Sequence, residues 1–329
     1  MKTYIFNGVV TALSSISHIG ENRGITSLLR REKMVAADGS VEEVPIISGN
    51  GMRGLLRDRG MLHMCRSIGY GEPDANGQPQ GLSLSAFYFL FSGGSLVGNK
   101  EKSKGAATSR GIDVDLARNM RTNIPLISIF GAAMGNQIMP GKLKCGKLIP
   151  LCAETAHIVP TNLAQRCNAS IWEMVQRESY TRRDDEKNDN LRGLIEPETR
   201  KRLESNAALK RAASDEPDTD TGAHQQMRYT IETLASGTRF FWELCLDDVT
   251  DTEFDAFCIT LAEFSRLPFV GGKSSVGHGK ISVAFDNWVE IDPRASVNGA
   301  QVSFTLGTQY LRHLQERGVD IRATLNQMA

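Results

Sequence analysis

A chain of 329 residues with 40% hydrophobic and 23% charged side chains reads as a folded globular protein, large enough for one big core or two ordinary domains. No apolar run approaches the ~20 residues of a membrane span, and the opening MKTYIFNGVVTALS alternates rather than running apolar as a secretion signal would, so a cytoplasmic location is expected. The 38 basic and 38 acidic side chains cancel, which argues against nucleic acid, but residues 1–175 hold 19 basic and 13 acidic groups while residues 229–329 hold 8 and 13.

That asymmetry is either accidental or gives the molecule a positive end for phosphate and a negative end for a neighbouring copy. In chain order, Lys2–Ser14 alternates as a strand and residues 15–43 read as a long polar loop, basic at Arg23, Arg30, Arg31 and Lys33. Gly51–Ile68 has helical apolar spacing, with Arg53 and Arg57 together on another face. Leu82–Phe91 is buried but fits helix or strand. A glycine-rich basic loop follows over 92–111, then a helix over Asp113–Asn123 stopped by Pro125, and a strand over Lys142–Cys152 with its lysines on one side. Residues 176–228 are highly charged and read as an insertion, with a surface helix over Glu196–Ala213 and a mobile loop over Ser214–Gly222. Strands over Gln226–Leu234 and Thr238–Leu246 flank a Ser236-Gly237 turn. Thr250 and Glu253 form a capping box for a helix whose Phe254, Phe257, Cys258, Leu261 and Phe264 belong to the core. A glycine loop (Gly271–Gly279), a strand (Lys280–Phe285) and a helix (Thr308–Glu316) complete the chain.

Without its insertions this order is strand, helix, strand, strand, helix, strand. The expected fold class is therefore α+β, a ferredoxin-like (RRM-like) palm with large insertions.

Three segments could carry chemistry. ISGNGMRG, residues 47–54, opens a helix where small residues, unpaired N–H groups and Arg53 with Arg57 suit phosphate; the alternative is a capped turn with solvated arginines. GGKSSVGHG, residues 271–279, lacks the phosphate-loop spacing and precedes a strand, but Lys273, Ser274 and His278 could touch a nucleic-acid backbone. The basic loop with Lys102, Lys104 and Arg110 is either solvated surface or an RNA wrap. The six cysteines form no CxxC pair and read as buried thiols; no metal site and no cofactor are expected. No histidine lies in a hydrolase or metalloprotease context, leaving the loop residues His18 and His278 as the only catalytic candidates.

The first strand followed by Ser17-His18-Ile19-Gly20, the run Pro45–Gly54 opening a helix, and the late Gly271–Gly279 loop together resemble the RAMP superfamily of CRISPR proteins. More narrowly they look like the repeated backbone subunit of multisubunit effector complexes. The length and IPLISIFGAAMGN (Ile124–Asn136) look most like its type IV version. The resemblance implies a palm of residues 1–67, 141–175 and 226–290, fingers over 68–140, a thumb within 176–225 and a C-terminal extension over 291–329. It implies copies stacked head to tail along a CRISPR guide RNA, with guide bases left open to pair with a target, DNA in the type IV case, and with other complex subunits and a helicase as partners. RNA contacts would fall on His18, Gly20, Arg23, Ser48, Gly49, Asn50, Arg53, Arg57, Lys102, Lys104, Arg110, Arg182, Arg183, Lys273, Ser274 and His278. Type III relatives cut target RNA with a loop aspartate. Here Thr26 or Ser27 stands in that place and Asp38 lies in a later turn, which implies a subunit that is not an enzyme. The alternative within the superfamily is an endoribonuclease that processes CRISPR transcripts with a loop histidine.

Overall fold

The computed structural model describes residues 2–73, 77–78, 80–94, 114–134, 137–181, 196–199, 201–202, 205, 228–291 and 307–326. Strand β1 (Lys2–Ala12) forms where the sequence alternates, and buries Tyr4, Phe6, Val10 and Ala12 on one face. After it come β2 (Ile19–Arg23), β3 (Thr26–Leu29), β4 (Arg31–Val35), β5 (Val41–Pro45) and helix α1 (Gly49–Ser67). The central part is α2 (Leu84–Phe87), running into a π-helical turn (Tyr88–Ser92), then α3 (Val114–Asn123), α4 (Pro125–Phe130) and the hairpin β6 (Ala132–Met134) and β7 (Gln137–Met139). Next are β8 (Leu143–Cys145), β9 (Ile149–Pro150), α5 (Thr161–Ala164), α6 (Ile171–Met174), β10 (Val175–Thr181), β11 (Arg228–Leu234) and β12 (Arg239–Val249). Helix α7 (Asp251–Arg266), β13 (Ile281–Ile291) and α8 (Thr308–Asn326) close the chain.

The fold is α+β. Its main sheet has the order β13-β1-β12-β8, with β9 also on β12 and every pairing antiparallel. Helices α1 and α7 lie side by side against it. They approach closely at Gly60, where a Cβ would come within 2.5 Å of Thr260 Oγ1. Tyr4 stacks on Phe254 at 4.0 Å and Phe6 meets Phe257 at 5.6 Å, which fixes α7 over β1. The Thr250–Glu253 capping box is present, and Glu253 also holds Lys142 at 2.8 Å. On the opposite face, Val9, Ile149 and Phe241 pack against Leu151, Val159, Leu163 and Cys167. Helix α8 runs a full turn and more beyond the expected Glu316 and buries Tyr310, Leu314, Ile321 and Leu325. Residues 197–199 and 201–202 of the expected surface helix are helical; Ser214–Gly222 lies outside the described residues.

A second, four-stranded sheet has the order β10-β11-β3-β2, with β11 parallel to β3. It overturns the expectation of one long loop over 15–43, which instead holds β2, β3, β4 and the start of β5. Every residue of β2 is exposed, so no alternation of apolar and polar side chains marked it. The expected strand over Lys142–Cys152 is likewise two short ones. It breaks at Gly146, whose missing Cβ would come within 2.6 Å of the Glu243 carbonyl. Leu82–Phe91, open between helix and strand, is helical from Leu84 onward. Phe89, Leu90, Ile124 and Phe130 join the same core as β1 and α7. Burial pushes the Cys65, Cys145 and Cys152 thiols up to about 12. Among the described residues no helix is long and apolar enough to cross a membrane.

Candidate nucleic-acid interface

The Ser17–Gly20, Pro45–Gly54 and Gly271–Gly279 segments, far apart in the chain, meet at one edge of the molecule. Gly272 N donates to Ser17 O at 2.6 Å, Gly279 N to Ser15 O at 2.8 Å, and Ser48 N to His18 Nε2 at 3.2 Å. The glycine loop can wrap the Ser15–His18 segment only because it lacks side chains at two places. Gly271 (φ +73°) would put a Cβ within 2.4 Å of Ser17 O, and Gly279 (φ +85°) within 2.2 Å of Val270 O. Between them Lys273 is held at φ +64° with a 3₁₀ turn over Ser274–Val276, a left-handed position that non-glycine residues rarely occupy.

His18 caps rather than contacts. Its Nε2 accepts the Ser48 N–H at the start of α1, while Ser48 Oγ accepts from Gly51 N. Burial, and then the charge of Arg30, hold the His18 imidazole below its ordinary value. A depressed folded pKa makes this contribution complete above the unfolded value near 6.5, and it is lost as pH falls from there through the lower folded value. Denaturant unfolding at about pH 7.5 and about pH 5 is expected to show a fall in stability that is smaller in His18→Gln, by under about 1 kcal/mol because the ring is partly solvated. Equal falls in both proteins would remove His18 as the titrating group.

His278 is almost fully buried, and both ring nitrogens are engaged: Nδ1 with Ser15 Oγ at 2.8 Å and Nε2 with the Tyr180 hydroxyl at 2.7 Å. Tyr180 in turn donates to Glu178 Oε2 at 2.7 Å. Burial and the Glu178 hydrogen bond push the Tyr180 phenol up to about 12. Burial raises the Glu178 carboxyl, but hydrogen bonds from Tyr180 and Thr233 outweigh it and leave the carboxyl low. Tyr180 stacks on Tyr229 at 5.5 Å, and Lys273 Nζ sits 4.6 Å over the Tyr229 ring. The network thus ties the glycine loop to β10 and β11.

Several of the expected contact residues have internal partners. His278 is a buried strut. Gly49 is small because a Cβ there would lie 2.4 Å from the Cys145 carbonyl, and Gly20 because its Cβ would crowd the Arg30 backbone. Arg53 and Arg57 do not face outward together as a free pair. Arg57 is 9% exposed and donates through Nη2 to the carbonyls of Phe130 at 2.6 Å and Gly131 at 2.9 Å; Arg53 Nη2 also donates to Phe130 O. Burial, then the neighbouring Arg53 charge, lower Arg57 to about 10, so it is still cationic at neutral pH. The two arginines tie α1 to the end of α4 because that short helix leaves its last carbonyls without intrahelical partners. The lysines of 142–147 are also taken: Lys142 by Glu253, Lys144 by Asp247 and Lys147 by Glu32. Asn50, Ser274 and Arg23 are exposed, Arg23 paired with Glu21 at 2.7 Å. Lys102, Lys104, Arg110, Arg182 and Arg183 lie outside the described residues.

What remains open at this edge is Asn50, the turn Lys273–Gly277 and Arg30, which is exposed and whose N–H donates to His18 O. Arg30 and Tyr229 were not among the expected contacts, whereas Tyr180 belongs to the Tyr180–Arg183 segment that the resemblance placed near the RNA. The basic cluster of residues 23–33 was the signal for Arg30; nothing in the sequence linked the tyrosines to the glycine loop.

No family model matches the chain, and no curated protein matches it. Solved structures do match it. A chain of a structure described as a Type IV-B CRISPR complex is similar over 94% of this chain and 97% of that chain, with a TM-score of 0.53 and 21% sequence identity. The match runs nearly the full length of both chains.

Proposed function

We propose that this chain is a non-catalytic RNA-binding subunit of a class 1 CRISPR effector complex, one that lines up in copies along a guide RNA and leaves its bases free to pair with a target, DNA by the type IV resemblance. The observation that carries the reading is the convergence of Ser17–His18, Ser48–Asn50 and Gly271–Gly277 at one edge, where Asn50 and Ser274–Gly277 are exposed. Two things support it. The sheet order β13-β1-β12-β8, with α1 and α7 against it, suits a ferredoxin-like palm built from residues 1–67, 141–175 and 226–290. Similarity of fold to a chain of a Type IV-B CRISPR complex suits the setting, with other complex subunits as partners. Such an edge reads phosphate and shape, while base pairing reads sequence.

The nuclease alternative is disfavoured by geometry. A general base needs a free nitrogen within reach of the substrate hydroxyl. His18 Nε2 and both nitrogens of His278 are committed to internal hydrogen bonds. Asp38 spends one carboxylate oxygen on Ser40 N and Oγ, at 2.9 and 2.7 Å, in the turn joining β4 to β5. The test is purification of the intact chain followed by titration with single-stranded RNA at several salt concentrations. We expect bound RNA of uniform length, no cleavage of it, and, for the pair Lys273→Ala with Arg30→Ala, binding weakened on the order of tenfold for any sequence, with a salt slope smaller by about 1.4. A chain that neither co-purifies with RNA nor binds it would sink the reading, and cleavage of the RNA would replace it with the nuclease.

A further inference from the structure

On the opposite face of the four-stranded sheet lies a cleft of about 620 Å³ that the reading above does not use. Strand alternation separates the two places. Tyr180 pairs across with Tyr229 and faces the glycine loop, whereas Arg177 pairs with Glu232 and faces away. The cleft has an aromatic wall and three guanidiniums. Trp172 is 48% exposed, although the fully buried Trp242 shows that the core can house an indole. Arg31 lies with its guanidinium carbon 5.3 Å from the Trp172 ring centroid. It is held there by Glu232 at 2.8 Å; that carboxylate is 3% exposed and binds Arg177 with its other oxygen at 3.1 Å. Arg177 and Arg23 also line the cleft, with side chains 69% and 74% exposed. The buried Glu232 and the exposed Glu21, paired with Arg23 at 2.7 Å, set two carboxylates against three arginines and leave the cleft with a net positive charge, and the stacked arginine holds the indole in one orientation.

We infer that this cleft is a second RNA subsite that takes one unpaired nucleotide, with its base stacked on Trp172 and its phosphate between Arg177 and Arg23. A large ring left half exposed beside fixed cations is the combination that recognises a nucleobase next to its phosphate. The volume suits a ligand of that size. The inference rests on the RNA-binding reading but concerns different residues, so the two can fail separately.

The test uses the intact chain and single-stranded RNA oligonucleotides, either complete or with abasic positions. RNA is expected to quench a tryptophan emission component that is missing from W172F. W172A is expected to bind complete RNA on the order of tenfold more weakly with its salt slope unchanged, while W172F, which keeps a ring, retains most of the affinity. Arg177→Gln should instead lower the salt slope. Abasic RNA should bind W172A and the parent chain alike. Binding of complete RNA by the parent chain without quenching, and with W172A equally tight, would overturn the subsite and leave the RNA-binding reading standing. Quenching by an acidic peptide but not by RNA would overturn it in favour of a protein partner. Absence of all RNA binding would overturn both.

Discussion

Gly279→Ala is expected to destabilise the protein by at least about 3 kcal/mol and to abolish RNA binding, whereas Gly277→Ala should cost only about 1–2 kcal/mol. Both glycines have positive φ, +85° and +97°, so both substitutions incur the left-handed penalty. They differ in what a methyl group would meet. At Gly277 there is nothing within 4 Å; at Gly279 the Val270 carbonyl oxygen lies at 2.2 Å, and backbone cannot rotate away as a side chain can. Relieving the clash would pull Gly279 N off Ser15 O and Val270 N off Gly279 O, and with them the contact between the glycine loop and the Ser15–His18 segment. Denaturant midpoints of the two variants measure the difference. Equal destabilisation would show that the loop is not wedged in place by its backbone.

Glu232→Gln is the second large effect, at about 3–5 kcal/mol of stability. Glu232 is 2% exposed, and its two oxygens accept from Arg31, Arg177 and the Leu29 N–H. The amide would leave the half-buried Arg31 guanidinium without a counter-charge and turn an NH₂ toward donors. Because Leu29 and Arg31 flank the junction of β3 with β4 while Arg177 lies on β10, the loss should loosen the four-stranded sheet and free Trp172 from its stacked arginine. A double variant with Arg31→Met should recover part of the loss, since removing both charges avoids an unpaired one. Urea unfolding of the parent, the single variants Glu232→Gln and Arg31→Met, and the double variant checks this. A double variant as unstable as the sum of the singles would show that the two residues do not act as a pair.

The elements that need only local information were legible in the sequence: β1 from its alternation, α1 and α7 from helical spacing, α7's start from the Thr250–Glu253 box, and the turn at Gly237. So were the glycine-rich segments 47–54 and 271–279, because glycine and serine runs stand out wherever they fall; Ser17–Gly20 was marked only by the family resemblance. What tertiary structure alone decided is how each residue in them is used. The same small residue serves as a ligand approach or as a packing gap depending on what lies beyond its missing Cβ, and at Gly49 that is the Cys145 carbonyl. The same arginine is a free cation or an internal tie depending on whether unpaired carbonyls lie within reach, as those of Phe130 and Gly131 do for Arg57. The burial of His278, the pairing of β2 and β3 with β11, and the meeting of Trp172, Arg31 and Arg177 all come from contacts between distant parts of the chain. Local pattern sets which backbone shape a segment favours, but a side chain's partners, and therefore its charge, exposure and role, are fixed only when the distant segments close on one another.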